Sequence, residues 1–219
     1  MGPRRTVILA AVVAGVLAAT LAGCGRRGPS DRDPPPFLAF GCGDDQRFLA
    51  AFSGPDTARL VTPDGIVTLL RVPTASGARY AGPRDTLWTH GDEAMLMRGA
   101  LRLSGCLPTG RQQVLADLWR DGAVFTAAGN EPFWSLTAWP DSLVLVEDLG
   151  TTVSRLALAD AVDWTAPGGW SDPEAGVAVV VSPGPCLDTM SGAPYPWAVT
   201  VTWKGRALRG CGLGLGPRF

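Results

Sequence analysis

The sequence predicts a mainly β protein in which a small antiparallel β unit is joined by one short helix to a second small β-rich unit. Short apolar runs follow one another at close intervals, separated by turn signals such as Pro63-Asp64-Gly65, a pattern typical of an antiparallel barrel or sandwich. One stretch between the two regions has the apolar spacing of a helix instead. Cysteines occur in both β regions, as expected of small units closed by disulfides.

The first β unit is predicted to span residues 37–107. Its apolar runs are each long enough for one short strand, and Gly91 and Gly99 supply turns between the later runs. The predicted strands are residues 48–52, 58–62, 66–72, 85–89, 94–98 and 101–104.

A linker helix is predicted within residues 108–122. Thr109 is a candidate N-cap, and Gly122 would follow the last turn. The apolar residues at helical spacing are Val114, Leu115, Leu118 and Trp119.

The second β-rich unit is predicted to span residues 123–219. Lys204-Gly205 is read as the turn between its last two strands, and the Trp- and Gly-rich residues 160–173 are read as a loop. The predicted strands are residues 133–139, 142–147, 177–182, 198–203 and 206–211.

The chain begins with the pattern of an export signal. Arg4 and Arg5 precede an apolar run over residues 7–21, and this run is shorter than the ~20 residues that a membrane-spanning helix needs. We therefore predict a signal peptide over residues 1–23.

The end of that signal, Leu21-Ala22-Gly23-Cys24, resembles the lipobox of bacterial lipoproteins. This resemblance implies that Cys24 becomes the acylated, palmitate-bearing first residue; the alternative is an ordinary secretory signal with an unrelated cysteine. Residues 24–36 end in three prolines and predict a flexible, extended tether. Gly25 stands where an Asp would indicate retention in the inner membrane, so we expect an outer-membrane lipoprotein facing the periplasm or the cell exterior.

Apart from Cys24, the cysteines are Cys42, Cys106, Cys186 and Cys211. An even number in an oxidising compartment indicates two disulfides, and three pairings are possible. The division into two units favours Cys42 with Cys106, and Cys186 with Cys211. Since the chain has no CxxC pair and one histidine, we expect no metal site.

Composition argues against several other function classes. The net charge is −1 and the basic residues are dispersed, so we expect no nucleic-acid partner. His90 is the only histidine, and the chain has no GxSxG elbow or phosphate-binding glycine loop. Asp92, Glu93 and Glu131 could meet in space, and a hydrolase using Glu131 remains a further alternative, but we predict no catalytic site and no cofactor.

Two polar, turn-like segments lie between Cys42 and Cys106: Ser76-Gly77-Ala78-Arg79-Tyr80, and the stretch from Trp88 to Ala94. With their surroundings they resemble the MliC family, membrane-bound inhibitors of c-type lysozyme, over nearly this whole region. The matching pieces are Phe40-Gly41-Cys42, the hairpin of residues 61–69, Ala75-Ser76-Gly77-Ala78-Arg79-Tyr80, Trp88, Gly91-Asp92-Glu93-Ala94 and Cys106.

This resemblance implies an eight-stranded antiparallel barrel that inserts two loops into the substrate cleft of lysozyme. The family serine that contacts the catalytic acids corresponds to Ser76. Lysozyme works with one protonated and one ionised carboxyl group, and a serine hydroxyl can donate to one and accept from the other. The residues implied in lysozyme binding are Ser76, Gly77, Tyr80, His90, Gly91 and Asp92, with Tyr80 and Asp92 shaping the loops.

The chain departs from the family pattern at His90, where the family has a lysine before Gly-Asp-Glu-Ala. Two outcomes are open: an imidazolium that contacts the catalytic carboxylates, or a neutral and weaker substitute that leaves Ser76 as the main anchor. We hypothesise the first, which predicts tighter inhibition at mildly acidic pH than at pH 8, since imidazole loses its charge over this range. Arg79 is a further candidate cation.

The second unit contains Gly129-Asn130-Glu131-Pro132-Phe133-Trp134 and Cys186-Leu187-Asp188-Thr189-Met190-Ser191-Gly192. These motifs resemble an uncharacterised domain of bacterial envelope lipoproteins, and that resemblance implies no activity. We expect a constrained turn at residues 130–132, and Asp188 and Ser191 stabilising a turn. Phe133 and Trp134 would lie on opposite faces of a strand, with core packing as the expectation for both. The alternative function for the whole chain is an envelope-assembly or stress lipoprotein that binds another periplasmic protein or a peptidoglycan fragment.

Overall fold

The computed structural model describes residues 35–43 and 46–216. The predicted signal peptide over residues 1–23, the predicted acylation site Cys24 and tether residues 24–34 lie outside the described residues. Within the described part of the chain, no helix is both long and apolar enough to cross a membrane.

The first eight strands form a closed antiparallel barrel in which each strand pairs with the next and the last pairs with the first. Its interior is apolar and includes Phe40, Leu60 and Leu87. The Cys42–Cys106 disulfide joins the first and eighth strands, where the barrel closes. The strands are β1 (Phe37–Cys42), β2 (Gln46–Phe52), β3 (Thr57–Thr62), β4 (Gly65–Val72), β5 (Ala78–Ala81), β6 (Asp85–His90), β7 (Glu93–Arg98) and β8 (Leu101–Pro108).

The barrel confirms six predicted strands and adds β1 and β5. β5 has four residues and follows turn-forming Ser76-Gly77, so no run in the sequence marks it as a strand. It becomes one because it pairs with β4 on one side and with β6 on the other.

The predicted helix is confirmed as α1 (Gly110–Arg120). Thr109 occupies the N-cap position with extended backbone, but its side chain makes no capping hydrogen bond. The Gln112 side chain ties the helix to the barrel by accepting from the Ala39 N–H at 2.9 Å and donating to the Phe37 carbonyl at 3.2 Å. The apolar face is narrower than predicted: Leu115 is buried, whereas Val114 is 58% exposed.

The second unit is one curled sheet of eight antiparallel strands. The strands are β9 (Phe125–Asn130), β10 (Phe133–Ala138), β11 (Ser142–Glu147), β12 (Thr152–Ala157), β13 (Gly168–Asp172), β14 (Val177–Leu187), β15 (Pro194–Trp203) and β16 (Arg206–Gly214). Their order in the sheet is β12-β11-β10-β9-β16-β15-β14-β13. The Cys186–Cys211 disulfide joins the two strands that flank β15, so both predicted pairings are confirmed. Lys204-Gly205 forms the predicted turn.

The prediction of a loop over residues 160–173 is wrong at its end, because β13 pairs there with β14. Glycine makes this pairing possible: a Cβ at Gly169 would lie 2.2 Å from the Val179 carbonyl oxygen. Strands β9 and β12 also form without having been predicted.

A third apolar cluster joins the barrel, the helix and the sheet. Phe37, Leu49 and Val61 of the barrel pack with Leu115 of α1 and with residues of β15 and β16. Burying side chains of this size is worth about 1.5–3 kcal/mol each. The two units therefore share a core instead of being joined only through the helix.

Candidate functional site

The two polar segments singled out in the sequence meet at one end of the barrel. β5 pairs with β6 in the register Ala78↔Thr89, so the loop before β5 (residues 73–77) lies beside the residues that follow Thr89. β6 in turn pairs with β7 up to His90↔Glu93, leaving Gly91 and Asp92 as a two-residue turn. We call residues 73–77 the Ser76 loop and residues 90–93 the His90 hairpin.

Gly77 holds the Ser76 loop against β6. Its φ of +70° lies in the left-handed region, which residues with a Cβ rarely adopt. A Cβ at this position would also lie 2.1 Å from the Thr89 carbonyl oxygen. Glycine is thus required twice, by conformation and by the close approach of the two segments.

Hydrogen bonds to the Ser76 carbonyl complete the loop. This oxygen accepts from the Trp88 Nε1–H at 3.0 Å and from the Thr74 hydroxyl at 3.1 Å. The backbone of the loop is therefore tied to β6, while the exposed Ser76 hydroxyl has no hydrogen-bond partner among the described residues. Its hydroxyl is available to a partner molecule.

His90 ends β6 with its side chain exposed. The ring lies 6.3 Å from the Trp88 ring, measured between centroids. Gly91 has a φ of +58° at the first central position of the turn, as in the tight turns that suit two-residue hairpins. Trp88 therefore contacts both segments, by a hydrogen bond to the Ser76 loop and by its ring beside His90.

Tyr80 and Asp92 have different positions. Tyr80 is 4% exposed; its hydroxyl donates to the Pro55 carbonyl at 3.3 Å and its ring packs 5.5 Å from that of Phe52. It supports β5 from inside the barrel and offers no surface to a partner. Asp92 is exposed in the turn beside His90.

A groove on the outer wall of the barrel adjoins this site and was not predicted. It has a volume of about 240 Å³ and is lined by Arg79, Trp88, Met95, Met97, Arg102 and Thr74. The alternation of β6, in which Leu87 is buried and Trp88 faces outward, indicates that Trp88 lies on the outer wall. The other residues of the groove could be assigned to the same wall only once the register of the strands was known. Arg79, a candidate cation in the sequence, lies on this wall opposite Trp88.

The motifs of the second unit also converge. Asn130 of β9 donates to the Asp188 carboxylate at 3.0 Å and to the Thr189 hydroxyl at 2.8 Å. The other oxygen of Asp188 accepts from the Ser191 N–H and hydroxyl, both at 2.7 Å, and from the Met190 N–H at 3.2 Å. Burial acts to raise the pKa of Asp188, but these hydrogen bonds outweigh it and hold the pKa below its ordinary value. The prediction that Asp188 and Ser191 stabilise a turn is confirmed.

The remaining expectations concern Phe133, Trp134 and the acidic residues. Trp134 is 4% exposed and Phe133 44%, so they lie on opposite faces as predicted. The expectation that both pack in the core is confirmed for Trp134 and wrong for Phe133. Asp92 and Glu93 lie in a barrel hairpin, whereas Glu131 lies in a turn of the second sheet. Within residues 35–43 and 46–216, no three His, Cys, Asp or Glu side chains are grouped so as to hold a metal ion.

Comparison with known proteins gives one family. No curated protein matches the chain. A family model described as "Membrane-bound lysozyme-inhibitor of c-type lysozyme" (MliC) matches residues 40–101, a range that begins in β1, ends at the first residue of β8 and contains both the Ser76 loop and the His90 hairpin. The match is to an inhibitor family and supports a role in lysozyme inhibition in general. The barrel of this protein is therefore similar to the MliC lysozyme inhibitors, as its motifs predicted.

Proposed function

We propose that this protein is a lipid-anchored inhibitor of c-type lysozyme whose Ser76 loop and His90 hairpin enter the catalytic cleft of the enzyme. The family match supports the target. One observation carries the mechanism: the two segments lie side by side at one end of a closed barrel, with Ser76, His90 and Asp92 exposed. A pair of segments held rigidly by backbone contacts loses little conformational entropy on binding.

Ser76 is the central contact in this proposal. A c-type lysozyme holds a protonated glutamic acid and an ionised aspartate on either side of the scissile bond. The Ser76 hydroxyl, with no partner among the described residues, can donate to the aspartate and accept from the glutamic acid. Because its carbonyl is held by Trp88 and Thr74, the loop keeps its shape while the hydroxyl changes partners.

His90 supplies positive charge next to this contact. Asp92 and Glu93 place two carboxylates in the same hairpin, and these would be repelled by an acidic cleft. An imidazolium at His90 offsets that repulsion and donates a charge-assisted hydrogen bond to a carboxylate of the enzyme. Arg79, on the adjoining wall, adds a second cation at the rim of the contact.

We further propose that Cys24 is acylated and that residues 24–36 tether the barrel to the outer membrane, facing the periplasm. The lipobox-like sequence before Cys24 supports this attachment, as does the match to a family described as membrane-bound. In that position the protein protects peptidoglycan from lysozyme that enters the envelope.

The experiment is a titration of the chain without its signal peptide, carrying Cys24→Ser to prevent acylation, into a c-type lysozyme, with residual muramidase activity as the readout. We expect inhibition at or below micromolar protein, and weaker inhibition by about tenfold or more for Ser76→Ala, which removes a hydrogen bond to a charged group. Ser182→Ala is the matched control, since Ser182 is an exposed serine in the second sheet. Absence of inhibition at micromolar protein would overturn the proposal, and equal inhibition by the Ser76 and Ser182 variants would overturn the loop mechanism.

A further inference from the structure

A second cavity, unrelated to the loop site, lies where the barrel, α1 and the second sheet meet. Its volume is about 280 Å³, against ~30 Å³ for one water molecule in the liquid. It therefore has room for a charged group carried on a small body. The side chains that give it chemical character are Arg47 of β2, Arg111 of α1, and Asn130, Asp188, Ser191 and Tyr195 of the second unit.

Within the described residues, no ion pair neutralises the positive charges of this cavity. Neither Arg47 nor Arg111 forms a salt bridge with a described residue. The Arg111 guanidinium lies over the Tyr195 ring, 5.0 Å from its centroid, which orients the cation without cancelling its charge. Asp188, the one carboxylate in the lining, already accepts four hydrogen bonds from its own surroundings.

The N-terminus of α1 adds to this field. Gly110 and Arg111 begin the helix at the cavity wall, and the first N–H groups of a helix carry a partial positive charge. The N-cap Thr109 makes no side-chain capping bond and the first turn contains no acidic residue. The Gln112 N–H donates to the Thr109 carbonyl at 2.9 Å, so the N–H groups of Gly110 and Arg111 are the ones left without a side-chain partner among the described residues.

Tyr195 gives an independent sign of a ligand. The residue is 4% exposed and lines the cavity, and its hydroxyl has no hydrogen-bond partner in the described part of the chain, so it is available as a donor. Tyr195 lines the cavity together with Arg47, Arg111 and Asp188, and the Arg111 guanidinium lies over its ring. Burial raises the pKa of Tyr195, so the hydroxyl keeps its proton at neutral pH and acts as a donor.

We propose that this junction cavity binds a small oxyanion ligand, a phosphate or carboxylate group, held by Arg47, Arg111 and the Tyr195 hydroxyl at the N-terminus of α1. The two guanidinium groups and the hydroxyl all donate hydrogen bonds, which the oxygens of an oxyanion accept. The N–H groups at a helix N-terminus bind oxyanions in the same way. The ligand contacts the barrel through Arg47 and the second sheet through Tyr195, and so connects the two units.

The probes are methyl phosphate and acetate, titrated calorimetrically into the non-acylated chain at constant ionic strength set with sodium chloride. We expect saturable binding of at least one probe with a Kd on the order of 1 mM or tighter. Either order of affinity supports the proposal, and the order identifies the group as phosphate or carboxylate. No saturable binding of either probe up to about ten times that concentration overturns it.

Variants locate the site. Arg111→Gln, at an exposed position, and Arg47→Gln are each expected to weaken binding about tenfold, and Tyr195→Phe to weaken it several-fold. Arg155→Gln is the matched control, since Arg155 is exposed on β12 and has no ion pair with a described residue. Unchanged affinity in both arginine variants overturns the assignment. Because Arg111 lies outside the loop site, lysozyme inhibition by Arg111→Gln stays at the parent level, which separates this proposal from the previous one.

Discussion

Gly77→Ala tests whether the close packing of the Ser76 loop on β6 produces the inhibitory surface. The substitution places an L-residue at a φ of +70°, which costs about 1–2 kcal/mol. It also places a Cβ 2.1 Å from the Thr89 carbonyl oxygen, where real contacts do not fall below 3.0 Å. The loop therefore has to move away from β6 by roughly 1 Å, because the backbone of a paired strand cannot yield by that much.

That displacement breaks the 3.0 Å hydrogen bond from Trp88 to the Ser76 carbonyl. With a net hydrogen-bond contribution of about 0.5–1.5 kcal/mol, the total loss in the free energy of unfolding is about 1.5–3.5 kcal/mol. We expect Gly77→Ala to inhibit about tenfold or more weakly than the parent, because Ser76 is displaced from its position beside the His90 hairpin.

Gly99→Ala is the control. Gly99 has a φ of +54° in the β7–β8 turn, and an added Cβ there meets only the Arg84 Nη2 at 3.5 Å. It carries the conformational cost without the clash, so its loss in unfolding free energy is about 1–2 kcal/mol and its inhibition is unchanged. The assays are urea unfolding and residual muramidase activity. The reasoning is refuted if the two variants are equally destabilised, or if Gly77→Ala inhibits as well as the parent chain.

Three further outcomes are expected. His90→Lys restores the family residue and should make inhibition tighter at pH 8 than in the parent. After correction for the titration of lysozyme's own carboxyl groups, its affinity should change less between pH 6 and pH 8 than that of the parent, and equal pH dependence in the two proteins would contradict the imidazolium contact. Trp88→Phe keeps a ring beside His90 but removes the donor to the Ser76 carbonyl, so inhibition should weaken several-fold and unfolding free energy fall by about 1 kcal/mol; unchanged inhibition would show that this bond does not hold the loop. Asp188→Asn should lower the free energy of unfolding at neutral pH. The pKa of Asp188 is depressed in the folded state, so its carboxylate stabilises the protein at pH values above its ordinary pKa of 3.8. That contribution is lost as pH falls through the pKa of the folded state. The difference from the parent in urea midpoints should therefore shrink progressively as pH falls below 3.8, while exposed Asp160→Asn shows no such difference over the same range.

Strands that are marked by their own apolar residues and flanking turns could be predicted from the sequence. Strands that form only because they pair with residues elsewhere in the chain could not. The hairpin around Pro63-Asp64-Gly65 is marked in the sequence by a turn signal with an apolar run on either side of it. β5 has no such mark, because its four residues become a strand only through pairing with β4 and β6. The prediction of a loop over residues 160–173 was wrong for a similar reason. Glycine is typical of loops, but at Gly169 it allows the backbone of β13 to lie close to that of β14.

The candidate site shows the same limit. Ser76 and His90 could be selected from their turn chemistry and the family pattern, but the role of Trp88 as the contact common to both segments depends on strand register. The junction cavity could not have been found at all, since Arg47, Arg111 and Tyr195 come from β2, α1 and β15. No spacing rule relates residues so far apart in the chain.

The shared core also determines which part of the barrel can meet an enzyme. The second sheet packs against Phe37, Leu49 and Val61, which belong to β1, β2 and β3. Ser76 and His90 follow β4 and end β6, and both remain exposed in the presence of the whole second unit. The second sheet therefore covers one wall of the barrel and leaves the loop end open, an arrangement compatible with the loop insertion proposed above. Because the units are joined by a buried cluster, a substitution there, such as Leu115→Ala, acts on the stability of both units without touching the loop surface.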